Sequence, residues 1–401
     1  MADFPVKWFS NDMGGSPANG DEYGALVELL KACLVTGFNT KPITSLTYDS
    51  ATQQATASVG SGHGYLKWQV IAISGADQAG YNGEHRVTAI GSDWVRFALD
   101  AAPAAAEATG ELIEIKTPPV GGWEVVAEDA DTHRAAFRRT DVTATDLTLI
   151  VRNDTHTNYP DTTSASRVAQ VAWVEDFTDL DTFGSENVQF WPFSDYYLTS
   201  LRFDPDWKIV ANSKFIYYVN RYGYDGGYGL MFAGDIPSFR PADSYNCIVN
   251  GIYGRDNWNS SSRSIYPYSW KFGYTNFFTI SRANHQLPGV EACSLVGVGQ
   301  SPGTTFDYPN PSDNGLHISL GKIIVREGKG GFAQTSYIKE QAARGYLPGL
   351  YQSLNASDVY HGSIIDHIPG LDGDPVLMIM TAADEKNYMS GLVAISLADW
   401  E

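Results

Sequence analysis

The chain has 401 residues, 43% apolar and 18% charged, with 46 acidic against 27 basic side chains and a net charge of −19. That apolar share is enough to bury a core, which excludes wholesale disorder, and the length predicts two or three domains. The negative charge repels phosphate backbones and no basic run exceeds Arg138-Arg139, so nucleic acid is excluded as a partner.

No segment approaches the roughly 18 uninterrupted apolar residues of a membrane span, so no membrane insertion is expected. The opening Met1-Ala2-Asp3-Phe4-Pro5 lacks a basic region followed by an apolar one, so the chain is expected to be soluble and made in a cytosol. Cys33, Cys247 and Cys293 are odd in number and widely spaced, which fits neither a disulfide framework nor a zinc site, and buried free thiols are expected.

In chain order, the first element is an amphipathic helix of about four turns. Leu26, Leu29, Leu30 and Cys33 recur on one face, with Asp21 as its cap and Gly37 as its stop. Residues 1–40 are therefore an N-terminal segment with a helix. After Pro42 the period changes to two, and Gln69–Ser74, Glu84–Ile90, Trp94–Leu99 and Glu111–Lys116 read as strands. Tyr81-Asn82-Gly83 reads as a tight turn, because Asn-Gly tolerates positive φ. Residues 41–120 form a small all-β module, ended by Pro118-Pro119 and Gly121-Gly122.

Residues 121–401 are expected to form a larger β-sandwich-like domain with aromatic, Gly-rich loops. Its predicted strands are Glu124–Glu128, Ala135–Arg139, Leu147–Arg152 and Val168–Val174, then Val376–Thr381 and Leu392–Leu397, the last two apolar enough to be buried on both faces. Ser336–Ala343 alone reads as briefly helical in this half. The fold class is thus mainly β, with one N-terminal helix. No repeat of 20–50 residues, heptad or Gly-X-Y pattern is present, which disfavours fibrous shafts and spikes.

Chemistry-bearing patterns are sparse. In His361-Gly-Ser-Ile-Ile-Asp366-His367 the two histidines lie about 20 Å apart on a strand, too far to share one ion, and surface or hydrogen-bonded histidines are expected. Leu371-Asp372-Gly373-Asp374 and the run Asp176–Glu186 gather carboxylates without the spacing of a twelve-residue calcium loop. Solvated acidic turns are expected there, with a structural Ca²⁺ the alternative and no other cofactor. There is no Gly-x-Ser-x-Gly, P-loop or dinucleotide fingerprint, so no catalytic residue is assigned and no enzymatic activity is expected.

Residues 217–278 hold 17 aromatic residues in 62 positions. Two readings stand: these rings fill the core and pin loops, or they present flat faces to a sugar or partner protein. On the second reading the binding residues are Tyr222, Tyr224, Tyr228, Trp258, Tyr266 and Tyr268.

Ser61-Gly62-His63-Gly64-Tyr65, Ile71-Ala72-Ile73-Ser74-Gly75-Ala76, Tyr81-Asn82-Gly83-Glu84 and Val87-Thr88-Ala89-Ile90 with Phe97 resemble a small β module of tailed-phage virion proteins. Val6–Phe9 with the helix ending at Phe38, Phe232–Ile236 with Asp243–Asn246, and Arg344–Leu350 are also similar to those proteins. About half the chain is covered. The sequence departs from that pattern at Leu66-Lys67-Trp68-Gln69, where the module ordinarily has Gly-Asp. The resemblance implies an uncharacterised tail-associated structural protein at the tail tip, baseplate or a minor tail position. It would be made in the bacterial host's cytoplasm, built into the virion, and partnered by other virion proteins and copies of itself. A receptor- or carbohydrate-binding virion protein is the alternative, with host surface glycan as partner. Capsid decoration and depolymerase are less favoured.

Overall fold

The computed structural model describes residues 4–20, 22–153, 168–193, 206–222, 227–251, 278–283, 285–296, 310–312, 316–327, 342–353, 359–366, 368–371, 374–381 and 391–400. The described residues are mainly β, with antiparallel sheets and one short helix near the N-terminus.

A central sheet has nine strands among the described residues, in the order Lys7–Ser10, Trp207–Ala211, Phe215–Tyr222, Gly227–Asp235, Cys247–Asn250, Phe278–Ile280, Glu291–Val296, Ile324–Glu327 and Ala343–Tyr346. Its strands Trp207–Ala211 and Cys247–Asn250 are buried on both faces, so apolar residues fill successive positions, Ile209-Val210-Ala211 and Cys247-Ile248-Val249, with no alternation. Phe215 and Tyr217 turn one way, towards Trp400. Tyr218 turns the other way and stacks on Trp191 at 5.5 Å. A sheet covers each side. On the Trp191 side lie Glu186–Pro192, Val168–Val174, Thr148–Arg152, Arg134–Arg139 and Trp123–Asp129, in that order. On the Trp400 side lie Ile318–Ser319, Leu350–Ser353, Gly391–Ser396, Val376–Thr381 and Ile364–Ile365. The expected sandwich therefore has three layers. Val376–Thr381 is buried on both faces as expected: Leu377 and Ile379 join the main core, while Val376 and Met378 join a second one with Leu316 and Val359.

Residues 38–117 form a second body. Its seven strands run in the order Phe38–Pro42, Glu114–Thr117, Val70–Ser74, Gly83–Ile90, Trp94–Ala98, Gln54–Ser58 and Ser45–Asp49. The first and last of these are adjacent in sequence, separated only by Ile43 and Thr44. Laid flat, six inter-strand gaps would put them about 29 Å apart, whereas three residue steps span at most about 11 Å. The sheet must therefore curl round on itself into a barrel, with no strand pairing between Phe38–Pro42 and Ser45–Asp49. Its core of Tyr65, Ile71, Ile73, Tyr81, Val87, Val95, Phe97 and Ile115 is separate from that of the large body.

The N-terminal segment belongs structurally to the large body: Lys7–Ser10 forms the edge of the central sheet against Trp207–Ala211. The barrel is thus an insertion between that strand and the rest of the large body. Lys7 pins the seam through Glu84 at 2.7 Å and the carbonyls of Pro119 and Val120. Arg86 donates from the barrel to the Leu397 carbonyl at 2.6 Å.

Three local expectations are corrected. The helix spans Ala25–Lys31 and continues as one π turn, Ala32–Thr36, before stopping at Gly37 with φ 71°. Its N-cap is Gly24, not Asp21, and the Leu26 amide is satisfied by Asn153 Oδ1 at 2.9 Å. A distant side chain supplies the cap, which no local pattern reveals. Asn82-Gly83 is not a two-residue turn: the strands it joins end at Ser74 and resume at Gly83, and the Asn82 amide closes the loop on both backbone groups of Ala76. Side-chain mimicry of a strand pair has replaced the turn. The third is Glu111–Lys116, which pairs only as Glu114–Thr117. The expected helix at Ser336–Ala343 lies outside the described residues except at its end, where Ala343 begins a strand.

Where the sequence departs from Gly-Asp, Trp68 takes φ 73°, the left-handed conformation that glycine adopts without cost. Gln69 holds it there: its side chain accepts from Leu66 N at 2.7 Å and donates to Thr117 Oγ1 at 3.2 Å.

Candidate functional site

Of the six aromatic residues expected at a binding surface, Tyr224, Trp258, Tyr266 and Tyr268 lie outside the described residues. Tyr222 ends the strand Phe215–Tyr222, opposite Gly227. Tyr228 follows on the next strand, half-buried, and donates its hydroxyl to Asp206 Oδ2 at 2.9 Å. Its ring lies parallel to the imidazole of His361, with centroids 3.4 Å apart. Lys208 Nζ stands 3.0 Å from Asp206 Oδ1 and 3.6 Å from Asp12. The His361 side chain is only 9% exposed, and burial, reinforced by Lys208, pushes its pKa down to about 3. Burial raises Asp206, but Lys208 and the Tyr228 hydroxyl outweigh it, leaving the carboxyl below its ordinary range. Tyr228 thus has one face covered by a neutral imidazole and its hydroxyl engaged. Its part here is to pin the turn at residues 360–363 to the central sheet.

The acidic run Asp176–Glu186 and its neighbour Glu175 meet arginines. Glu175 pairs with Arg282, Asp181 with Arg134 at 2.5 Å and Glu186 with Arg152 at 2.5 Å. Among the described residues no three His, Cys, Asp or Glu side chains converge as metal ligands would. Asp372 and Gly373 are not among them. The three cysteines are free and buried, and burial pushes the Cys33 and Cys247 thiols well up.

A concave site that the sequence did not signal lies between the N-terminal segment and the hairpin of Trp123–Asp129 with Arg134–Arg139. It is a cleft of about 700 Å³, in the size range of small-ligand sites. Pro17, Ala18, Gly20, Tyr23 and the start of the helix form one wall, and Glu128 to Ala130 with His133 and Arg134 the other. Three bonds fix its shape: Gly24 N to the Asn153 carbonyl, Asn153 N to the His133 carbonyl, and Leu26 N to Asn153 Oδ1. His133 takes φ 53° at the hairpin and its ring stacks against Tyr23 at 6.3 Å. Gly24 is required by that packing, since a Cβ there would lie 2.9 Å from His133 Nδ1. Hydrogen bonds from the Thr132 side chain and amide, with a smaller one from Arg134, hold Asp129 below the ordinary carboxylate range. None of this has a sequence signature, because Tyr23, His133 and Asn153 meet only through the tertiary fold.

No family model and no curated protein matches the chain. Among solved structures it is similar to a phage phi92 endosialidase at 12% identity and a TM-score of 0.19, over 87% of this chain. The chain spans 58% of that protein's length. So slight a superposition fixes neither fold nor activity for this chain. No helix among the described residues is long and apolar enough to cross a membrane.

Proposed function

We propose that this chain is a structural protein of a tailed-bacteriophage virion, placed at the tail tip, baseplate or an adjoining position, and acting through contacts with other virion proteins and with copies of itself. The observation that carries the reading is where the residues of the phage-like motifs fall. His63 bonds to the Gly91 carbonyl at 3.0 Å, and the Tyr65 hydroxyl donates to the Asn39 and Ile115 carbonyls. Tyr81 donates to the Ala105 and Ala106 carbonyls, and Asn82 closes its loop. These residues build a barrel with its own core, carried as an insertion on a three-layer body. A protein of that plan meets neighbours over surface area and shape complementarity, which is what assembly needs. The reading assigns it no catalysis.

A receptor- or glycan-binding role is the second reading, and the cleft beside Tyr23 is the feature that favours it.

Immunogold labelling of intact particles with antibodies raised to residues 38–117 tests the first reading. Gold confined to the tail is expected. Gold on the head, or unlabelled particles whose dissociated proteins are also negative, would overturn it.

A further inference from the structure

We propose that the cleft between the N-terminal segment and the residue 128–134 hairpin binds a neutral saccharide of two or three units.

Four features carry this. The volume of about 700 Å³ accommodates a ligand of that size. Tyr23 lines the cleft with 36% of its surface exposed, and its stack on His133 with a tilted contact to Phe193 fixes its ring in advance. A rigid aromatic face with an apolar body and a polar tip suits the C–H face of a pyranose and costs little ordering entropy on binding. Around the ring stand acceptors, Glu22, Glu28, Glu128 and Asp129, and one strong donor, Arg134. Hydroxyl groups use both kinds, whereas a cation can use only the acceptors.

The ion pairs decide between ligand charges. Lys31 engages Glu128 at 2.7 Å and stands 3.9 Å from Glu28, and Arg134 engages Asp129 at 3.3 Å, so three of the four carboxylates already have counter-charges, two of them sharing one lysine. That weakens the pull on a cationic ligand while holding these carboxylates in fixed orientations. Four lining carboxylates against Lys31 and Arg134, the latter shared with Asp181, leave an excess of negative charge that repels an acidic sugar. A neutral saccharide is left as the ligand that satisfies the lining without an uncompensated charge.

The test uses the full chain, with saturation-transfer NMR and calorimetry against neutral di- and trisaccharides of glucose, galactose, mannose and N-acetylglucosamine. Sialyllactose and a tetralysine peptide serve as the charged probes. At least one neutral sugar should bind saturably, and Tyr23→Ala should weaken it about tenfold, the worth of one aromatic stack. Glu22→Gln, at an exposed position where folding is not at stake, should weaken the same sugar several-fold with an unchanged melting temperature. Binding of none of the neutral sugars, binding that neither substitution alters, or preference for sialyllactose or tetralysine would each overturn the proposal. Because the assay uses isolated protein, its failure leaves the virion reading untouched.

Discussion

Arg139 carries its guanidinium 4.3 Å from the Trp173 ring, 2.5 Å from Asp235 and within reach of the Thr145 and Leu147 carbonyls, with its side chain fully buried. In sequence it is half of the Arg138-Arg139 pair, the longest basic run, yet the alternation of its strand turns it inward. Asp235→Ala would leave that charge buried and uncompensated, and should cost about 3–5 kcal/mol in denaturant unfolding. The pair replaced together, Arg139→Met with Asp235→Leu, should cost less than the single change. A double variant as unstable as the single one would show that the pair is not the unit. His361 gives a second residue-level prediction. Its ring protonates in the fold only near pH 3, but near 6.5 when unfolded, so between those values the unfolded state holds the extra proton. Stability is therefore lost as pH falls from about 6.5 towards 3. His361→Phe keeps the stack on Tyr228 and removes the titration, so its melting temperature should drop less than the wild type's between pH 7 and pH 5. Parallel drops would contradict the buried neutral imidazole.

At the scale of elements, what the sequence made legible were features written in a short window. The strands Val70–Ser74, Gly83–Ile90 and Trp94–Ala98 fall where alternation put them, and Leu26, Leu29, Leu30 and Cys33 form the buried stripe of the helix. That stripe joins the core of the large body, not that of the barrel. What was not legible depends on distant partners: the Asn153 cap, the Asn82 loop closure and the left-handed Trp68. The Gly62-His63-Gly64 motif separates the two kinds of constraint. Both glycines have φ 70°, but a Cβ at Gly62 meets nothing within 4 Å, whereas one at Gly64 would lie 2.4 Å from Gly14 Cα. Gly62→Ala should therefore cost only the left-handed penalty of about 1–2 kcal/mol. Gly64→Ala should cost more than that, because it also pushes apart the contact where Gly14 N donates to the Gly64 carbonyl. Equal costs in thermal unfolding would mean that this seam yields freely.

For the whole molecule, composition and period sufficed to predict a mainly β chain with one helix, because strand-length apolar runs recur from end to end. They did not give the layering. A continuous run such as Ile209–Ala211 signals burial on both faces but carries no mark of which sheets cover it. Nor did they give the cleft, whose Tyr23, His133 and Asn153 come from three separate segments. The barrel's curled sheet and separate core lead to an expectation at this scale: residues 38–117 expressed alone should fold and melt cooperatively, as judged by circular dichroism and amide-exchange protection. A fragment without protected amides would show that the Lys7–Glu84 and Arg86–Leu397 contacts are required for the barrel itself. The central claim, that this chain is built into a phage tail, is tested most directly by quantitative mass spectrometry of purified particles separated into heads and tails. The account predicts enrichment in the tail fraction at a small, symmetric copy number relative to a major tail protein. Recovery with heads, or absence from particles, would contradict it.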